Sequence, residues 1–195
     1  MRFEAGDLLI FYGRDWTSRI IECATRGPSH VGIICPHAER GPLLFESTTL
    51  REIPCLLTGK CVQGVQAHEP ATRIAAYPGA VARMQLAQAW RLNEAEIGLL
   101  HDWLMHVAHE PYDLRGALIS GTRLFKWTAL MPYPDLESLF CSELCAAALM
   151  RLARMPLENP SLYNPASLVR EVRRCGTYGA PSCVKANWFD PCQSQ

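Results

Sequence analysis

A chain of 195 residues, 49% apolar and 19% charged, has material for one packed core and fits a single domain over 1–195. Its 19 Lys and Arg balance its 19 Asp and Glu with no basic run, which argues against a nucleic-acid partner. No apolar run has the length of a membrane span, and Glu4 and Asp7 interrupt Met1–Ile10 where a signal peptide would be apolar. The chain is therefore expected to be made in the cytoplasm without a signal peptide, and to need another route if it works elsewhere.

In chain order, the first strand is expected over Asp7–Tyr12, entered through the turn residues Gly6 and Asp7. A short helix follows over about 16–25, capped by Asp15, with Trp16, Ile20, Ile21 and Ala24 on one stripe. Arg26-Gly27-Pro28-Ser29 ends it. Two β-rich runs, His30–Cys35 and Pro42–Glu46, flank a polar segment containing Pro36 and Gly41 and predict a hairpin. Pairing Cys35 near Gly41 sets His30 opposite Glu46 on one face; a slip of one residue would turn Glu46 away.

Val62–Ala67 and Ala80–Leu86 read as strands, the second by alternation of Ala82, Met84 and Leu86 with Val81, Arg83 and Gln85. Asn93 and Glu96 form a capping pattern, and Ile97, Leu100, Leu104 and Ala108 repeat at helical spacing until Pro111. A loop-rich stretch with Gly116, Gly121, Pro132 and Pro134 leads to a second helix over Leu139–Leu152. From Met155 the chain is turn-rich, with a short helix near Ala166–Arg174 and a Cys- and Pro-containing tail over 176–195. The element order predicts an α+β fold: a small antiparallel sheet, curled toward a barrel, packed against the Leu139–Leu152 helix.

Nine cysteines lack the paired CxxC spacing of a zinc site, and an odd total leaves at least one thiol unpaired. Cys23, Cys35 and Cys145 lie in apolar or helical stretches and read as small hydrophobes. Cys175, Cys183 and Cys192 fall in the turn-rich tail, where cross-links are the alternative to reduced thiols. His101, His106 and His109 share a helix without HExxH or a third ligand. An exposed helix face explains them better than a metal, and no metal or cofactor is expected.

The chemistry is read at Phe140-Cys141-Ser142-Glu143-Leu144, where a cysteine is expected to open an apolar helix. Free amides and the helix dipole favour a thiolate there and can donate to an oxyanion. A buried structural cysteine is the competing reading, and Cys145 one turn later is read that way. A cysteine nucleophile needs a base held by a third polar group. His30 opens a strand, and Glu46 across the hairpin can hold one imidazole nitrogen while the other serves Cys141. Glu143, on the expected first turn, is assigned to the helix dipole.

These residues resemble a family. Gly6-Asp7, Ser29-His30-Val31-Gly32-Ile33, Leu44-Phe45-Glu46-Ser47 and the Cys141 block are similar to the circularly permuted papain-fold amidases. Those are relatives of the NlpC-type peptidoglycan peptidases and of lecithin–retinol acyltransferase, in which histidine precedes cysteine in the chain. The resemblance spans roughly residues 5–170 by element order, with three short blocks specific. It implies Cys141 as nucleophile, His30 as base and Glu46 as the group that orients the imidazole. Pro111-Tyr112-Asp113 resembles the Pro-Tyr element of NlpC-type enzymes, which implies Tyr112 as an oxyanion or supporting group; a turn tyrosine capping the core is the alternative. The long segment between Tyr112 and Cys141, and the tail after Gly176, depart from the pattern.

The function expected is a cysteine hydrolase cutting a peptide amide, with bacterial peptidoglycan the first choice of substrate. A phage product, or a toxin delivered to the periplasm and met by an immunity protein, would suit that substrate. A lipid-directed thioesterase or acyltransferase with the same Cys–His pair is the alternative enzyme, and Phe125, Trp127 and Phe140 would then line an acyl pocket. A disulfide-stabilised binding module is the alternative of another class.

Overall fold

The computed structural model describes residues 2–13, 27–48, 52–61, 63–109 and 136–186. In chain order its elements are β1 (Leu8–Tyr12), β2 (His30–His37), β3 (Gly41–Thr48), β4 (Gly64–His68), α1 (Pro70–Ala76), β5 (Ala80–Met84), α2 (Glu94–His109), α3 (Leu136–Arg151), α4 (Pro165–Arg174) and β6 (Ser182–Lys185). The strands form one six-stranded sheet in the order β4-β3-β2-β1-β5-β6, and every neighbouring pair is antiparallel. The fold is therefore α+β, as the element order predicts. The sheet does not close into a barrel: among the described residues β4 pairs only with β3 and β6 only with β5, which leaves both at its edges. No described helix is long and apolar enough to cross a membrane.

Alternation along the central strands divides their apolar side chains between two faces, and both are covered. Leu8, Ile10, Val31, Ile33, Phe45 and Met84 pack with Leu100 and Leu104 of α2, Cys145 and Leu149 of α3, and Val172 of α4. On the other face Leu9, Phe11, Ile34, Leu44 and Val81 pack with Ile74 and Tyr77 at the end of α1. Central strands buried on both sides read as nearly continuous apolar runs, which is why Leu8–Phe11 and Val31–Cys35 look so uniform in sequence.

The β2–β3 hairpin forms with a register two residues from the one expected. Its ladder runs from His37↔Gly41 to Ile33↔Phe45. Continued past that last pair, it would set Gly32, not His30, against Glu46. A shift of two keeps every side chain on its face, whereas a shift of one would not. His30 and Glu46 are thus same-face neighbours on a diagonal, which long side chains can span. Glycine at position 32 keeps the diagonal open. A Cβ there would stand 2.7 Å from Leu44 Cδ1, 2.9 Å from the Phe45 carbonyl oxygen and 3.2 Å from Glu46 Cβ.

Several boundaries differ from expectation for local reasons. The expected strand Val62–Ala67 runs Gly64–His68. The one at Ala80–Leu86 ends at Met84, and Leu86 makes an isolated bridge to Tyr178. Helix α1 was not expected, because seven residues are too few to show a period. It is held by its ends instead. The Glu69 carboxylate accepts from the Thr72 amide at 3.1 Å, Pro70 occupies the first turn, and Tyr77 closes the helix. At the far end Lys185 Nζ donates to the carbonyls of Ile74 (3.0 Å), Ala75 (2.9 Å) and Tyr77. That lysine comes from β6, a four-residue edge strand with a bulge opposite Val81–Ala82, also missed in the turn-rich sequence. The expected helix over 16–25 lies outside the described residues.

Candidate active site

His30 is placed by the way the chain enters β2. The Ser29 amide donates to the Phe11 carbonyl at 3.0 Å, and Ser29 Oγ accepts from the Gly13 amide at 3.2 Å. These contacts fix the first residue of β2, and His30 pairs with Phe11 of β1. Its imidazole lies 5.4 Å from the Phe11 ring, and the side chain is 12% exposed, so one edge of it meets solvent.

Glu46, on β3, is fully buried and accepts hydrogen bonds from three of the described residues. His30 Nε2 donates to Oε2 at 2.6 Å; Arg73 Nε and His68 Nδ1 donate to Oε1 at 2.6 and 2.9 Å. Burial alone would raise this carboxyl, but the bonds from His30 and His68 and the charge of Arg73 outweigh it and hold Glu46 well below its ordinary value. Glu46 is a carboxylate, and its acceptor-only oxygens fix both His30 Nε2 and His68 Nδ1 as N–H donors.

The second side-chain hydrogen bond of His30 is to Cys141 of α3. Nε2 is committed to Glu46, which leaves Nδ1 for the sulfur. Burial works against a charged imidazole, but the charge of Cys141 and its hydrogen bond, followed by those of Glu46, raise His30 to about 10. The structure therefore brings Cys141, His30 and Glu46 into one contiguous line. Cys145, one turn further, is fully buried and is pushed well above the ordinary thiol range by burial and then by the charges of Cys141 and Glu46.

A test of the line is direct. Followed by NMR in labelled protein, the His30 ring is expected to titrate near 10 and not at its ordinary 6.5. Its value is raised on folding, so the stability it contributes is whole below about 6.5 and is lost as pH rises through about 10. Titration near 6.5 in the folded protein would remove the contacts to Cys141 and Glu46 from consideration.

Two expectations about α3 need correction. The helix begins at Leu136, not Leu139, so Cys141 is its sixth residue and does not open it. Only the first four amides of a helix lack an internal acceptor, so the Cys141 amide is not the free oxyanion donor that was expected. Glu143 likewise sits in the helix interior, away from the dipole end. It is 6% exposed, burial raises its carboxyl to about 7, and its Oε1 has no hydrogen-bond partner among the described residues. Ser142 anchors the helix by donating from Oγ to the Tyr163 carbonyl at 2.6 Å.

Tyr112, Phe125 and Trp127 lie outside the described residues, as does the side chain of Phe140. Cys35, Cys55, Cys61, Cys145, Cys175 and Cys183 are free thiols, and Cys23 and Cys192 lie outside the described residues. Cys35 is buried as expected and its thiol is raised to about 12 by burial and then by the charge of Asp102. His101 contacts Asp102 at 3.2 Å and the His37 ring edge-on at 5.8 Å.

His68 and Arg73 were not anticipated. Their signals were weak: His68 falls one residue past the strand expected there, and Arg73 lies in the helix too short to show a period. An arginine only 4% exposed needs a buried anion, but sequence does not say which one.

No family model and no curated protein matches this chain. Among solved structures it is similar to the crystal structure of metalloprotein yiiX from Escherichia coli O157:H7, a DUF1105 protein. The two share 16% identity over 97% of this chain and 100% of that one, with a TM-score of 0.53. At that identity the likeness is one of fold. Among the described residues here, no group of three or more His, Cys, Asp or Glu is placed to hold a metal ion. The donors at the site are committed otherwise: both His30 nitrogens are engaged, and Arg73 already stands on Glu46 Oε1.

Proposed function

We propose that this chain is a cysteine hydrolase in which Cys141 attacks a carbonyl carbon, His30 moves the proton and Glu46 holds His30. The observation that carries the reading is a single imidazole hydrogen-bonded to a cysteine on one side and to a fully buried carboxylate on the other. Such an imidazole keeps its orientation through the cycle. The thiolate adds to the carbonyl, and the imidazolium gives its proton to the departing amine as the C–N bond breaks. The same ring then takes a proton from water, whose oxygen attacks the thioester; the C–S bond breaks, the carboxylic acid product leaves and the thiolate–imidazolium pair is restored. No cofactor enters the balance.

The substrate we favour is a peptide amide of bacterial peptidoglycan, on the resemblance of the His30 and Cys141 blocks to NlpC-type enzymes. It would be reached by a secretion or phage route. The permuted papain-like relationship belongs to the same proposal. The test is incubation of purified protein with peptidoglycan and, separately, with acyl thioesters and phospholipids, products being read by mass spectrometry. Muropeptides cut at a stem or cross-bridge amide are expected, with Cys141→Ala as the blank. An acyl group on Cys141 and fatty acid released or transferred, with cell wall untouched, would replace the amidase by a lipid-directed enzyme. Inertness toward all three substrates would count against hydrolysis.

A further inference from the structure

We propose that Arg73, with His68 on the same oxygen, is a positioning residue that keeps Glu46 ionised and turned toward His30. The inference rests on the cysteine-hydrolase reading and adds two residues to it. They act through Glu46.

Charge balance is the first argument. In the attacking state of the proposed hydrolase, the Cys141 sulfur and the Glu46 carboxylate bring two negative charges to fully buried residues, and the His30 imidazolium supplies one positive charge. Arg73, itself 4% exposed, supplies the second at 2.6 Å from Glu46 Oε1. Without it the line carries an uncompensated negative charge beside a carboxylate that is fully buried. The least costly relief is to protonate Glu46, because an unpaired buried charge neutralises itself. A protonated Glu46 no longer holds the imidazolium. The ionisable groups around Glu46 are His30 from β2, His68 from β4, Arg73 from α1, and Cys141 and Cys145 from α3. Arg73 is the permanent cation among them.

Geometry is the second. Glu46 accepts from His30 on Oε2 and from Arg73 and His68 on Oε1, so the carboxylate plane is set by donors at both ends. The Arg73 guanidinium lies 5.0 Å from the centre of the Phe11 ring and 5.2 Å from that of Tyr77. Phe11 is also the ring against His30, so one aromatic residue bears on both the base and the distant cation. His68 is 1% exposed and spends Nδ1 on Glu46.

The test uses the full chain as wild type, Arg73→Gln and Arg73→Lys. Iodoacetamide alkylation of Cys141 is followed against pH by mass mapping, beside thermal melting. In Arg73→Gln the acid limb of the alkylation rate is expected to move up by about 1–3 pH units, the size of an arginine's effect on a neighbouring carboxylate. Arg73→Lys keeps the cation and should stay within about half a unit of wild type. A folded Arg73→Gln protein whose limb coincides with wild type overturns the proposal. If Arg73→Gln does not fold, Arg73→Lys decides: a lysine variant that folds and titrates a full unit higher removes charge as the contribution of Arg73. Loss of stability alone would lower the melting temperature without moving the limb. Wild-type Cys141 that alkylates below neutral pH no faster than the other thiols would instead sink the cysteine-hydrolase reading, whatever Arg73 does.

Discussion

Cys141→Ala and His30→Ala are each expected to lower hydrolysis by about 10⁴-fold or more, and the double variant is expected to be little worse than either alone. In the proposed hydrolase nucleophile and base act as one unit, so losing one forfeits most of what the other supplies. Cys145→Ala is the control. Cys145 is four residues further along the same helix and equally buried, but its thiol is pushed well above the ordinary range and His30 does not bond to it. It should cost some stability as a small cavity and leave the rate per folded molecule intact. Steady-state rates of the purified variants decide the matter. An inactive, folded Cys145→Ala beside an active Cys141→Ala would move the nucleophile by one helical turn.

Glu46 is expected to matter in two currencies. Glu46→Ala strands Arg73 and His68, which are 4% and 1% exposed, without their acceptor. Breaking a buried ion pair from one side costs about 3–5 kcal/mol, so denaturant unfolding at neutral pH should show a loss of that order. Its rate should fall by one or two orders of magnitude less than that of His30→Ala, because an orienting carboxylate is worth less than the base it orients. Glu46→Gln keeps the shape and one acceptor oxygen and should retain more of both. The wild type has a further signature. Glu46 is held below its ordinary 4.5, so its contribution to stability is present above that pH and lost as pH falls through the folded value. Glu46→Gln should lack that acid dependence. Glu46→Ala with wild-type stability and rate would remove Glu46 from the site.

What was legible in the sequence is what depends on local periodicity. The strand at Leu8–Tyr12, the hairpin, and the helices at Glu94–His109 and Pro165–Arg174 announce themselves by apolar spacing and caps. The face shared by His30 and Glu46 was legible too, because parity survives a register error of two. The register itself was not, since loop length between Pro36 and Gly41 fixes it only loosely. The start of α3 was misplaced because Leu139 begins the visible apolar stripe, while the helical backbone continues back to Leu136. Arg73 and His68 were illegible for a different reason. Their meaning lies in an oxygen of Glu46, 27 and 22 residues away, and no pattern within a single element records it.

The contact of Lys185 with the end of α1 has a consequence in time. A ribosome delivers the chain from its amino end, so β2, β3, β4 and α1 emerge while Lys185, 111 residues beyond Ile74, is still to be made. Synthesis of that interval takes roughly 5–20 s at ordinary elongation rates. Until it is complete, the carbonyls of Ile74, Ala75 and Tyr77 have no lysine to accept from, and the helix bearing Arg73 is held at one end only. Cys141 arrives a little past the middle of the same interval. The nascent chain thus presents His30, Glu46, His68 and Arg73 first, then Cys141, and gains the Lys185 clasp last of these, so the line is whole before the helix that carries Arg73 is held at both ends.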